Sequence, residues 1–382
     1  MKILMVAIPN HHFFQWVNQL KDSGYDVYWF DVTDGGPKSP KIEWVTQIKG
    51  WKLKWDFPFR SAIKMRLPKL YKFIQKHNEN SVSKAFQNAF DNIKPDLVHC
   101  FEMQLSGLRI LPILEQNAVP LIYSSWGSDV YYYKQQGVSP DLVKQFISRV
   151  DVLISDCKRD VGILQNLGYN KPFYVLPGNG GLEINTHDIL KTKNRQNILF
   201  KGYQYDVGEA IQIAKALELV DINLLKHLHI ICYSTDAEVE DYIKQSPVFK
   251  TLKYTIYPRY KHLDNKMLLN IMGNSILHIG NNLSDGMPNA LLEAMAMGAF
   301  PIQSNPGHVT EEVIEDGNNG LLINNSLDYK SISALIERAL KDEPMRIKAQ
   351  DYNVSFINKN YKRSILLPII IELYQSIKPE TN

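Results

Sequence analysis

"KILMVAIPNHHFFQWVNQLKDSGYDVYWFDV", residues 2–32, decides the fold class. "KILMVAI" is a nearly continuous apolar run that ends at Pro9, the pattern of a strand buried on both faces. Phe13, Trp16, Val17 and Leu20 then recur at helical spacing, and Gly24 stops that stretch. "YDVYWFDV" reads as a second strand. Strand, helix and strand in this order imply parallel pairing through a crossover.

The alternation continues outward from this unit. "PDLVHCF" and "VPLIYSSW" read as strands around a helical stretch near 104–116. "VDVLISD", "CKRDVGILQNLG" and "FYVLP" read as strand, helix and strand. Residues 178–196 are polar and rich in glycine, without periodicity, and read as a hinge. Alternation then restarts with "NILFKG", "EAIQIAKALELV", "LHIICYS", "YTIYP", "SILHIG" and "AFPIQS". The expected fold is α/β, two doubly wound Rossmann-like halves facing a cleft. The expected boundaries are 1–177, the hinge 178–196, 197–360, and a C-terminal helix over 361–382 returning to the first half. In such sheets ligands bind beyond the carboxyl ends of the strands.

Composition narrows the class. A chain of 382 residues suggests two domains, and 45% hydrophobic with 22% charged residues is ordinary for a globular protein. The net charge is only +3, yet residues 49–77 hold nine Lys and Arg against Asp56 alone, a local +8. Trp51, Trp55, Phe57, Phe59, Tyr71 and Phe73 are interleaved with them. That stretch suits an anionic membrane surface, with a solvated helix face as the plain alternative. Nothing else in the chain supports nucleic acid. Cys100, Cys157 and Cys232 are isolated from one another, which points to a reducing compartment rather than a disulfide framework. No His, Cys and acid set shows metal spacing, no leader is evident, and no apolar run reaches membrane-spanning length.

"SDGMPNALLEAMAMG", residues 284–298, holds Asp285 and Glu293 eight positions apart. Pro288 suits the first helical position, and Gly298 suits the end of that helix. Helical side chains lean toward the N-terminus, so Glu293 points back at the helix mouth, where Asp285 also lies. A helix mouth favours an anion. Two carboxylates for hydroxyls beside a phosphate seat match a sugar nucleotide.

Residues 284–321, "SDGMPNALLEAMAMGAFPIQSNPGHVTEEVIEDGNNGL", resemble the signature of retaining GT-B glycosyltransferases of the family 4 type (glycosyl transferases group 1), E-G-x-P-x-x-x-x-E-A-M-A-x-G-x-P-V-I. Glu312 takes the place of the family's acid after the sheet turn. "LPGNGG" at 176–181 is similar to the interdomain P-N-G-V-D, and "KPDLVHCF" and "YSSWGSDV" resemble N-domain strands. The resemblance implies a metal-independent transferase that uses a nucleoside-diphosphate sugar and no cofactor. It implies Glu293 on the ribose, and Asp285 with Gly286, Met287, Pro288 and Asn289 on the transferred sugar. Asp285 stands where the family has Glu, and Tyr203 stands where it has Arg. Lys201 beside Gly202, the helix mouth, or Arg259 must then meet the diphosphate.

Other residues keep two readings. His11 and His12, in the first strand–helix turn, touch acceptor or phosphate, or pack a helix start. Asp129 in "WGSD" is a base or sugar contact, or a helix cap. Trp126 stands where the family has His. His99 ends a strand and is a core residue or a site residue. The expected activity is transfer to a glycan or lipid-linked acceptor in bacterial-type cell-surface polysaccharide or glycolipid synthesis, in the cytoplasm or at its membrane face. A sugar-nucleotide 2-epimerase and a non-catalytic binding partner on the same fold are the alternatives.

Overall fold

The computed structural model describes residues 1–184, 189–261 and 263–377. Part of the expected hinge (185–188) and the end of the expected C-terminal helix (378–382) lie outside them.

The chain divides into two compact units. The first comprises Met1–Ser155, Val161–Gly180 and the chain from Pro368 onward. Its strands are β1 (Lys2–Ala7), β2 (Asp26–Asp31), β3 (Thr46–Ile48), β4 (Leu97–Phe101), β5 (Leu121–Ser124), β6 (Val152–Ser155) and β7 (Phe173–Val175). They form one parallel sheet in the order β3-β2-β1-β4-β5-β6-β7. Every residue of β1 after Lys2 is buried, which is why that strand is apolar throughout.

The helix His11–Asn18 starts where Asn10 Oδ1 accepts the Phe13 N–H at 2.8 Å. It buries Phe13, Trp16 and Val17. The helix Arg363–Ser376 enters this unit from Pro368 onward, and Tyr374 lies in its core. Tyr374 Oη accepts from Trp16 Nε1 at 3.0 Å and lies 2.6 Å from His99 Nδ1. Nε2 of the same imidazole lies 2.8 Å from Ser124 Oγ, so both nitrogens of His99 are used inside the core.

The second unit comprises Asp156–Asp160 and Gly181–Leu367. Its strands are β8 (Asn197–Lys201), β9 (His229–Thr235), β10 (Lys253–Pro258), β11 (Ser275–Gly280), β12 (Phe300–Ser304) and β13 (Leu321–Ile323). This sheet is also parallel, in the order β10-β9-β8-β11-β12-β13. It is the doubly wound order in which the first strand lies beside the fourth. Ile198, Phe200, Ile213, Leu277, Ile279 and Ile302 are among the side chains of its core.

Candidate active site

In the second unit the connections reverse direction between β8 and β11, so the ends of these neighbouring strands mark the switch point. Lys201 closes β8, and Gly202 follows. A Cβ on Gly202 would stand 2.6 Å from Cys232 Sγ and 2.7 Å from Thr235 Cα, so the close approach of β9 requires glycine. Loop 281–288 follows β11. The Asn282 N–H donates to Ser304 Oγ at 2.9 Å, its carbonyl accepts from Ser326 Oγ at 3.0 Å, and its Nδ2 donates to Asp285 Oδ2 at 2.8 Å. A residue anchored at its own backbone therefore orients the Asp285 carboxylate.

The helix Asn289–Ala296 begins one residue later than expected. Pro288 has φ −66° and ψ 118°, and the extended ψ leaves it outside as the N-cap. Pro288 itself makes no side-chain cap hydrogen bond. Glu293, in its second turn, accepts from Asn265 Nδ2 at 3.1 Å, and Asn265 opens the helix Asn265–Gly273.

Burial raises both acids. At Asp285 desolvation outweighs Lys201, Asn282, the Gly286 N–H and Arg159, which all favour the carboxylate. Glu293 is pushed up to about 7, desolvation outweighing Asn265 and Lys201. Lys201 is the cation common to both carboxylates, and its Nζ also stands 5.5 Å from the centre of the Tyr203 ring. The Arg259 guanidinium stands 4.9 Å from the same ring and pairs with Asp236 at 3.3 Å. Asp236 in turn accepts the Gln204 N–H at 2.9 Å, fixing the turn after Gly202. The tyrosine in the family's arginine position thus gathers two cations by its π face.

The loop is braced by Asp156, Arg159 and Asp160, which sequence reasoning missed, and by Glu312, which it placed in the family signature. A Cβ on Gly286 would meet the Asp156 carboxylate oxygens at 2.3 and 2.4 Å. The Met287 N–H donates to that carboxylate. Arg159 donates through Nη2 to the Asp285 carbonyl and through Nη1 to the Pro306 carbonyl, both at 2.7 Å, and through Nε to Asp160 Oδ1 at 2.8 Å. Glu312 accepts the N–H groups of Lys158 and Arg159, each at 2.9 Å. Side chains at 156–160 and 312 therefore hold the loop that carries Asp285.

Two family models match this architecture. Residues 2–157 match the model described as Glycosyl transferase 4-like, and residues 257–356 match Glycosyl transferases group 1. This chain belongs to the GT-B glycosyltransferases.

Solved structures with the same fold include sucrose-phosphate synthase from Thermosynechococcus elongatus. The TM-score is 0.71 at 15% identity, over 99% of each chain. Anabaena HepE in complex with UDP-glucose gives 0.66 at 12%, over 98% of this chain and 100% of that one. TarM of S. aureus, in complex with Fondaparinux, alpha-GlcNAc-glycerol and UDP, gives 0.69 at 10%, over 98% and 100%. A search of curated proteins finds no significant match.

The first unit of this GT-B glycosyltransferase places the remaining candidates at carboxyl ends of its strands. His11 and His12 open the helix after β1, half-buried, with ring centroids 6.2 Å apart. Trp126 follows β5; its backbone N–H donates to Asp129 Oδ1 at 2.8 Å, while its buried indole N–H has no partner. Asp129 is 2% exposed. Its Oδ2 accepts the Met103 N–H at 2.9 Å and the Tyr123 hydroxyl at 2.7 Å. The carboxylate thus ties three chain segments together, an anchoring task. Glu102 is half-buried and pushed up to about 8, first by desolvation and then by Asp129.

One cluster bears on the expectation that no metal-spaced set exists. The structure does bring acids and a thiol together: Asp156, Cys157 and Asp160 offer ligand atoms within 4.8 Å of one another. They lie within five consecutive residues at the start of the helix Lys158–Asn166, a spacing the sequence reading passed over. Asp156 already receives Met287, Asp160 receives Arg159, and burial pushes the Cys157 thiol up, which keeps it protonated. These donors fit the loop above them better than a metal ion.

Proposed function

We propose that this chain is a retaining glycosyltransferase using a nucleoside-diphosphate sugar, with a uridine donor as the first choice. One observation carries the reading. Two carboxylates, Asp285 and Glu293, share Lys201 at the switch point beside the start of the helix Asn289–Ala296, whose N-cap is Pro288. Glu293 accepts the ribose diol. Asp285 and the Gly286–Asn289 loop hold the transferred sugar. The helix mouth, Lys201 and Arg259 meet the diphosphate, whose charge grows as the bond to the sugar breaks. The leaving phosphate oxygen takes the acceptor's proton as the new bond forms on the same face, so no metal and no protein nucleophile is required. UDP or UDP-glucose in the related structures supports the donor class. Asp129 is left out of the reacting set because its carboxylate is occupied by three donors.

The acceptor is a glycan or a lipid-linked saccharide in cell-surface polysaccharide or glycolipid synthesis. His11, His12 and Trp126 are the first-unit residues proposed to touch it. No helix among the described residues is long and apolar enough to cross a membrane. The +8 stretch 49–77 presents Phe59 at 81%, Met65 at 77% and Phe73 at 66% exposure, and we assign it to reversible contact with an anionic cytoplasmic leaflet. A thermal-shift panel of nucleotides and nucleotide sugars tests the donor. A ligand at ~100 times its Kd adds ~2.7 kcal/mol, so one nucleoside diphosphate and its sugars stand out. No shift from any of them contradicts the reading.

A further inference from the structure

The turn opened by Tyr203 is stitched to the loop that carries Asp285. The Leu283 N–H donates to the Val207 carbonyl at 2.7 Å, and the Glu209 N–H donates to the Asn281 carbonyl at 3.0 Å. Asn281 Nδ2 returns to the Glu209 carbonyl at 3.2 Å. A Cβ on Gly208 would stand 2.3 Å from the Tyr203 carbonyl oxygen, so only glycine lets the turn come back this close. The Tyr203 side chain, half-buried, is therefore held near Asp285. Burial raises its hydroxyl, Arg259 opposes that, and Asp206, Asp236 and Asp285 add to it.

Arg259 reaches this turn from another strand. It follows β10, which β9 separates from β8 in the sheet, and its backbone N–H donates to the Thr235 carbonyl at 2.9 Å. Two contacts hold its guanidinium. The Tyr203 ring centre stands 4.9 Å from Cζ, and Asp236 Oδ1 stands 3.3 Å from Nη1. Asp236 belongs to the same turn: its N–H donates to the Gly202 carbonyl at 2.9 Å, and its Oδ2 accepts the Gln204 and Tyr205 N–H groups at 2.9 and 3.3 Å. The Arg259 side chain is still 54% exposed, and its hydrogen bond among the described residues goes to Asp236. A guanidinium held over a ring face keeps its N–H donors for a ligand, whereas a second carboxylate would consume them.

We propose that Tyr203 is a positioning residue: its ring holds the Arg259 guanidinium for the outer phosphate of the donor, the one bonded to the sugar, and so makes the site prefer a diphosphate to a monophosphate. The proposal rests on the donor reading above and deepens it. The placement supports it, because the turn of Tyr203 is bonded to the loop of Asp285, the acid assigned to the transferred sugar. Lys201 Nζ, 5.5 Å from the same ring centre, is the second cation of that end of the site. A single aromatic side chain thus does for the diphosphate what a cation in its own position would do, by fixing a cation that arrives from β10.

Calorimetric titration tests it. The full chain is titrated with UDP, GDP, ADP, CDP and TDP, and the diphosphate that binds is compared with its monophosphate. Arg259→Gln should loosen the diphosphate roughly ten-fold, the worth of one charge-assisted hydrogen bond, and the monophosphate less than about two-fold. Tyr203→Leu should loosen the diphosphate roughly two- to five-fold, the worth of an exposed cation–π contact, again with the monophosphate nearly unmoved. Tyr203→Phe keeps the ring and should bind within about two-fold of the wild type. Adding Tyr203→Leu to Arg259→Gln should cost less than about two-fold more, because the ring then has no guanidinium to hold. Losses that add in full in the double variant, a loss in Tyr203→Phe as large as in Tyr203→Leu, or equal losses for diphosphate and monophosphate overturn the positioning role and leave the donor reading standing. Binding of none of the diphosphates by the wild type overturns both.

Discussion

Glu293→Gln separates the cost of the donor site from its use. The ordinary glutamate pKa of 4.5 becomes about 7 here. The native chain therefore binds an extra proton between those values, and stability falls as pH rises through that window. At ~1.36 kcal/mol per pH unit the ionised carboxylate costs the apo fold at most ~3 kcal/mol, and its partial exposure lowers that to roughly 1–3 kcal/mol. Glutamine keeps the shape and still accepts from Asn265, without the charge. The apo variant should match the wild type at pH 5 and exceed it at pH 8. At ~2–4 °C per kcal/mol, that is roughly 2–12 °C in the unfolding midpoint.

Nucleotide binding should move the other way. Losing charge-assisted bonds to the ribose diol costs ~1.5–3 kcal/mol, or roughly 10- to 150-fold in Kd. Midpoints by differential scanning calorimetry at both pH values, with nucleotide titrations on the same samples, supply all the numbers. A variant destabilised at pH 8, or one that binds the nucleotide as tightly as the wild type, would refute the reasoning.

Nucleotide affinity of the wild type should rise between about pH 6 and 8 as Glu293 ionises, and Glu293→Gln should flatten that profile; an equally steep profile in the variant assigns the titration elsewhere. Asp285→Asn should cut turnover at least ~100-fold while leaving the bare nucleoside diphosphate's Kd within a few-fold, because its partner is the sugar; equal losses in both would make Asp285 a loop anchor. Arg159→Met removes three bonds that brace the Asp285 loop, so turnover should drop with little change in nucleotide Kd and a lower midpoint; unchanged turnover would dismiss the brace. Gly286→Ala drives a methyl against Asp156 and should cost ~1–3 kcal/mol of stability, read as a lower midpoint.

The strands that build both sheets were legible because buried parallel strands are short apolar runs bounded by turn residues, as in β1 and β11. The edge strands β3 and β13 were not, because "TQI" and "LLI" are not set off by turn residues and apolar runs as the equally short β7 is in "FYVLP". Asp285 and Glu293 could be paired from sequence because one loop and one helix start hold both within a short segment. Their setting was hidden, because its parts meet only in the folded chain. Arg159 reaches Asp285 across 126 positions, and Asn265 reaches Glu293 across 28. Tyr203 looked like the loss of a cation, yet its ring stands near both Arg259 and Lys201, a setting that residue types alone do not display. Asp129 kept two readings for the opposite reason. An acid after a strand and a glycine reads as a reacting group until its three donors are seen.

A crystal structure of the chain with a non-transferable uridine-diphosphate sugar analogue tests the central claim most directly. It should show the ribose hydroxyls on Glu293, the hexose against Asp285 and Gly286–Asn289, and the diphosphate between the start of helix Asn289–Ala296, Lys201 and Arg259. A nucleotide seated away from the ends of β8 and β11, or a ribose that does not reach Glu293, would contradict it.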